Sequence, residues 1–138
     1  MRLLAKSAVV AATSGALLAT FGTGPATAAA LYSEDYSAYT TDVGYMEGKV
    51  VFYNRSVTIT GTVKSHTTGC ATASFQIRRG TDEWYQEDRT ACGRGPGSSK
   101  GFSFTLEWDT AGTANYVHAR LLNNDRNIVN SDQVFFGG

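Results

Sequence analysis

The stretch CATASFQIRRGTDEWYQEDRTAC, residues 70–92, decides the fold of this chain. It begins and ends at the only two cysteines, Cys70 and Cys92. Ala71, Ala73, Phe75 and Ile77 alternate with Thr72, Ser74, Gln76 and Arg78, the period of two of a half-buried strand. Gly80-Thr81-Asp82 reads as a hairpin loop, and Glu83 to Ala91 as the returning strand. If Cys70 faces Cys92, the partners become Thr72–Thr90, Ser74–Asp88, Gln76–Gln86 and Arg78–Trp84, and the hairpin centre falls on Thr81. One register thus satisfies the turn, a disulfide and the apolar alternation. The bridge closes a loop of about 23 residues, for which the chain-entropy model gives roughly 3 kcal/mol. Glu83, Glu87 and Arg89 on one side and Asp88 on the other suit an edge strand, where inward charge discourages pairing with a second molecule.

Strand patterns continue on both sides. Lys49 to Tyr53 is a short Val/Phe/Tyr run. From Ser56 to Lys64, Val57, Ile59, Gly61 and Val63 oppose a row of Thr58, Thr60 and Thr62. Gly61 on the apolar side predicts a large neighbour that needs its space. Phe102, Phe104, Leu106 and Trp108 form the strongest apolar alternation and are expected in the core, as are Val117, Ala119 and Leu121 that follow; a last strand runs from Ile128 to Phe136, with an irregularity expected at Asn130 to Asp132. The predicted fold is all-β: a small antiparallel β-sandwich, immunoglobulin-like, of about seven strands with one disulfide. A small barrel is the alternative. Residues 29–48, polar and rich in Tyr, are expected as an extended N-terminal segment or loop with at most a short strand, and residues 49–138 as the sandwich. The run Gly112 to Tyr116, leading into a Val/Ala/Leu strand, resembles the start of strand F in immunoglobulin-like and fibronectin type III domains, where a Tyr closes the corner. Here Tyr116 shares parity with His118 and Arg120 instead of with the inward residues, a departure from that pattern.

The first 28 residues read as a secretory signal peptide: Arg2 and Lys6 precede an uncharged apolar stretch, and Ala26-Thr27-Ala28 fits a small-x-small cleavage site. Ala28-Ala29-Ala30 is a rival site. The Ala/Thr/Gly-rich leader resembles those of high-GC Gram-positive bacteria. The 12 Asp and Glu all lie beyond it, whereas two of the 12 Lys and Arg lie within it, so the exported part is acidic by two charges. That balance speaks against nucleic acid and against anionic lipid as partners. The expected product is secreted and extracellular, with no membrane association after cleavage.

Catalytic signals are sparse. His66 and His118 are the only histidines, no strained nucleophile turn is present, and no metal or cofactor motif is found. Asn123 to Asn127 is rich in oxygen ligands but has turn composition. Glu83, Glu87 and Asp88 are better explained by a solvated edge strand than by a hydrolase pair. The glycine-rich stretch Gly93 to Gly101 exposes Arg94 and Lys100, but its glycines make a soft loop where protease inhibition asks for a stiff one. The sharpest signal is a polar-aromatic face. If the disulfide hairpin and residues 116–122 share a sheet, Trp84, Gln76, Arg78, Gln86, Tyr116, His118 and Arg120 merge on its outer side. Flat aromatic rings beside planar hydrogen-bonding groups suit sugar or protein recognition. The expected function is a non-enzymatic extracellular binding domain for a polysaccharide or cell-wall polymer. The rival readings are a secreted protein-binding factor, such as a protease inhibitor or antagonist, and a small hydrolase.

Overall fold

The computed structural model describes residues 29–137; the expected leader, residues 1–28, lies outside the described residues. The chain forms eight strands: β1 (Tyr32–Thr40), β2 (Gly44–Tyr53), β3 (Ser56–Ser65), β4 (Cys70–Arg79), β5 (Glu83–Cys92), β6 (Ser99–Glu107), β7 (Tyr116–Leu122) and β8 (Ile128–Phe135). They make two antiparallel four-stranded sheets, ordered β1-β2-β3-β6 and β5-β4-β7-β8. The sheets pack face to face through Tyr36, Val50, Phe52 and Ile59 of the first and Phe75, Ile77, Val117 and Leu121 of the second, all buried.

The β4–β5 register is the one the cysteines predict: Cys70 opposes Cys92, Gln76 opposes Gln86 and Arg78 opposes Trp84. The disulfide is formed, with the Cα atoms 4.0 Å apart. The Gly93 N–H donates to the Gly69 carbonyl at 2.8 Å, just outside the pair, so the cysteines occupy a non-hydrogen-bonded site, where side chains approach most closely. Gly80, at φ +69°, turns the hairpin. Replacing both cysteines with serine is expected to cost about 3 kcal/mol. For a domain of this size that lowers the thermal midpoint by roughly 10–20 °C, readable by comparing melting curves of variant and oxidised protein.

Three expectations need correction. Residues 29–48 are not a segment outside the sandwich: they supply all of β1 and the first half of β2, which brings the strand number to eight. Phe102, Phe104 and Leu106 are half-buried, not core, because β6 is an edge strand. The Arg89 guanidinium, 4.7 Å from the Phe104 ring centre and paired with Glu87 at 3.0 Å, covers Phe104 in place of an apolar side chain. The irregularity in β8 lies one residue before the expected position. Leu121 opposes Asn130 and Leu122 opposes Ile128, which leaves Val129 as the extra residue of a bulge.

The sheet edges are guarded as their sequences require. β5 turns Glu87 and Arg89 inward. On the opposite side of the sandwich β8 closes against β1: the Ser37 N–H donates to Asp132 Oδ2 at 3.0 Å, and Asn130 Nδ2 donates to the Tyr39 carbonyl at 2.9 Å. These side chains occupy edge groups of β1 that would otherwise be open to another strand.

Candidate functional site

β4 lies between β5 and β7 and pairs with both, so the hairpin and residues 116–122 share a sheet directly. Alternation along β4 turns Phe75 and Ile77 to the core and Ser74, Gln76 and Arg78 to the outer side. The registers then fix three rows across all four strands. The first is Trp84, Arg78, Tyr116 and Phe135. The second is Gln86, Gln76, His118 and Gln133, and the third is Asp88, Ser74, Arg120 and Ser131. All seven residues expected from the sequence fall on this one face.

The first row is aromatic with a cation at its centre. The Arg78 Cζ lies 5.6 Å from the Trp84 ring centre and 5.4 Å from that of Tyr116. The two rings meet edge to face at 6.4 Å, and Tyr116 lies 4.8 Å from Phe135. Trp84 is 51% and Phe135 45% exposed, so the row presents apolar ring area to solvent. Tyr116 faces outward in this cluster and does not close a corner as its strand F counterpart would.

The second row carries amides and an imidazole, groups that both donate and accept. The side chains of Gln76, His118 and Gln133 hydrogen-bond to nothing among the described residues. Burial, and then the charge of Arg120, push the His118 pKa below its ordinary value, so the imidazole is neutral at neutral pH.

The third row is ionic. Arg120 Nη2 donates to the buried Ser74 hydroxyl at 2.6 Å, and Arg126 Nη2 reaches over from the β7–β8 turn to Asp88 Oδ2 at 2.7 Å. Burial by itself raises the Asp88 pKa. The hydrogen bonds from Ser74, Arg126 and Gln86, with the Arg126 charge, more than offset that and hold the carboxyl below its usual value.

Phe135, Gln133, Ser74, Asp88 and Ser131 complete the face and are absent from the expected site. For Ser74 and Asp88 the signal was present, since the disulfide register pairs them on the outer side. For β8 it was not: Phe135 and Phe136 are adjacent phenylalanines, and the bulge at Val129 shifts the parity that would have told them apart. Phe136 packs against Phe52 at 5.6 Å, away from the outer face.

The other candidates stand as follows. His66 sits just past the end of β3, with the Tyr39 and Tyr45 ring centres 6.0 and 5.9 Å away, whereas His118 is on β7 of the other sheet. The neighbouring Ser65 hydroxyl is engaged by the Thr67 and Gly69 carbonyls. Glu83, Glu87 and Asp88 are each paired with an arginine: Arg79, Arg89 and Arg126. Asn123 Oδ1 accepts from the Asp125 and Asn127 N–H groups, as a turn residue does. Thr58 hydrogen-bonds across to Thr105 at 2.7 Å on the outer side of the first sheet. The loop bearing Arg94 is more tightly held than its glycines suggest. Lys64 Nζ donates to the Gly95 carbonyl at 3.1 Å and meets Ser98 Oγ at 2.6 Å. Arg94 itself lies between Gly93 at φ +93° and Gly95 at φ +86°.

No protein-family model, curated protein or solved structure matches the chain.

Proposed function

We propose that this chain is a secreted, non-enzymatic extracellular binding domain, and that the outer face of the β5-β4-β7-β8 sheet takes a polysaccharide or cell-wall polymer. The observation that carries this reading is the aromatic row, with Trp84 and Phe135 exposed and Tyr116 half-buried between them, beside the unengaged amides of Gln76 and Gln133. Covering apolar ring area is favourable by roughly 25 cal/mol per Å², and the glutamines supply in-plane partners for sugar hydroxyls. The leader pattern and the disulfide support export to an oxidising compartment.

We also infer an immunoglobulin-like arrangement. With β1 set aside, the orders β2-β3-β6 and β5-β4-β7-β8 correspond to strands A-B-E and C′-C-F-G. In that correspondence the disulfide joins C to C′ within one sheet, and buried Phe75 stands on strand C where antibody domains carry a Trp. The protein-binding alternative draws support from the Lys64 clamp on the Arg94 loop. It is weakened by the two left-handed glycines flanking Arg94, since a loop that fills a protease cleft lies extended there.

The test is a pull-down of the purified protein on a panel of insoluble polysaccharides, with proteases as parallel baits. Retention on a polysaccharide is expected. Trp84→Ala and Tyr116→Ala are each expected to weaken it about tenfold or more, the scale of a central aromatic contact, with the thermal midpoint nearly unchanged. Unchanged retention in both variants removes the assignment, and capture by a protease bait alone favours the protein-binding alternative.

A further inference from the structure

We infer that the ligand of this face is a polyuronate, with the Arg78 guanidinium taking a ring carboxylate while Trp84 takes the face of the sugar ring. The inference rests on the binding reading above and names the chemical class of its ligand.

The argument begins with charge. Arg79, Arg89 and Arg126 each hold a carboxylate within 3.0 Å. Arg78 has none within the 4.0 Å of an ion pair among the described residues, and its only polar partner there is Asn115 Oδ1, 3.5 Å from Nε. The face carries two guanidinium groups, those of Arg78 and Arg120, against the single carboxylate of Asp88, which Arg126 of the β7–β8 turn already occupies. In a chain whose exported part is acidic, this face is a local excess of positive charge.

Geometry narrows the class. Arg78 rests against both the Trp84 and Tyr116 rings, which themselves meet at 6.4 Å, so part of the entropy cost of ordering a long side chain is already met. With only Nε engaged, by Asn115, the guanidinium keeps its terminal N–H groups for a partner, in the fork geometry that matches a carboxylate. In a uronic acid the carboxylate is bonded directly to a ring carbon. A pyranose lying on Trp84 therefore brings its carboxylate to a guanidinium 5.6 Å from the indole centre. A poly(glycerol phosphate) offers charge without a ring to stack, and a neutral glycan offers a ring without charge. Arg120, opposite Ser74, lies four residues further along the sheet than Arg78, about 13 Å at the rise of a strand. The amide row lies between them, so several linked sugars span the face where a single one does not.

The experiment measures binding of the purified protein to polygalacturonate, to its fully methyl-esterified form and to poly(glycerol phosphate). The expected result is binding to polygalacturonate that weakens with added salt and falls about tenfold or more on esterification, on the scale of a lost charge-assisted pair. Arg78→Gln should show a similar fall with the melting curve unchanged, and Arg78→Lys should recover part of the affinity, since it restores charge without the fork. The esterification arm uses the unaltered protein, so a misfolded variant does not blunt the test. Equal binding to the esterified polymer overturns the inference and leaves a polysaccharide-binding face standing. Preference for poly(glycerol phosphate) overturns it in favour of phosphate. Binding to none of the three overturns it, and if the broader polysaccharide panel is also empty the proposed function falls with it.

Discussion

Phe75→Ala is expected to destabilise the protein by about 3–5 kcal/mol, a large share of the 5–15 kcal/mol typical of a domain. Phe75 is fully buried at the middle of β4, an inner strand of its sheet. Its ring meets Tyr36 edge-on at 5.4 Å and lies 5.7 and 5.6 Å from Phe102 and Phe104. Truncation leaves a cavity walled by three rings on two hydrogen-bonded sheets, which cannot collapse without breaking ladders. Phe104→Ala removes the same atoms from β6, where the ring is half-buried beneath Arg89, and should cost less than about 3 kcal/mol because water and the arginine stem refill the space. Urea unfolding of the two variants decides the matter. Equal losses would show that the β6 side is as tightly closed as the centre of β4.

That contrast shows where sequence reading succeeds and where it stops. Alternation told which side of β6 faces inward, but not that β6 is the last strand of its sheet, because edge position follows from topology. The disulfide hairpin was readable to single-residue register because two cysteines, a turn and two apolar patterns had to agree. β1 was not, for a physical reason. Its inner positions are Tyr32, Glu34, Tyr36 and Ala38, and its outer positions include Tyr39, so both faces mix polar and apolar groups. The inward Glu34 serves an exposed edge, where it accepts from the Tyr32 hydroxyl at 2.6 Å, and that arrangement erases the hydrophobic period.

The candidate face divides in the same way. Seven of its residues follow from parity on two strands plus one register. The direct pairing of β4 with β7 sets Arg78 opposite both Trp84 and Tyr116, and a sequence pattern cannot supply that because strand order is a long-range property. Phe135 joins through a strand whose parity is reset by the bulge at Val129.

Gly61→Ala is expected to destabilise the protein by about 3 kcal/mol or more, although it adds one methyl group. The apolar side of β3 called for a large neighbour at Gly61, and that neighbour is Tyr36. Tyr36, Gly48, Gly61 and Phe102 form one row across the first sheet, and the Tyr36 ring runs over the two glycines. Its hydroxyl donates to the Thr60 carbonyl at 2.9 Å, and burial pushes the phenol well above its ordinary pKa, so it remains a neutral donor in alkaline solution. A Cβ on Gly61 would collide with the Tyr36 hydroxyl and also with the Glu47 carbonyl oxygen. The first clash displaces a buried hydrogen bond, and the second pushes β2 away from β3, since a backbone oxygen has no rotamer to escape into. A double-mutant cycle separates the two. Tyr36→Phe alone should cost about 1 kcal/mol for the lost hydrogen bond. Combined with Gly61→Ala, it should cost less than the two separate losses together, because the hydroxyl that the new methyl strikes is gone. The remaining deficit measures the strand separation. Strictly additive losses in urea unfolding would show that the phenol plays no part in the requirement for glycine.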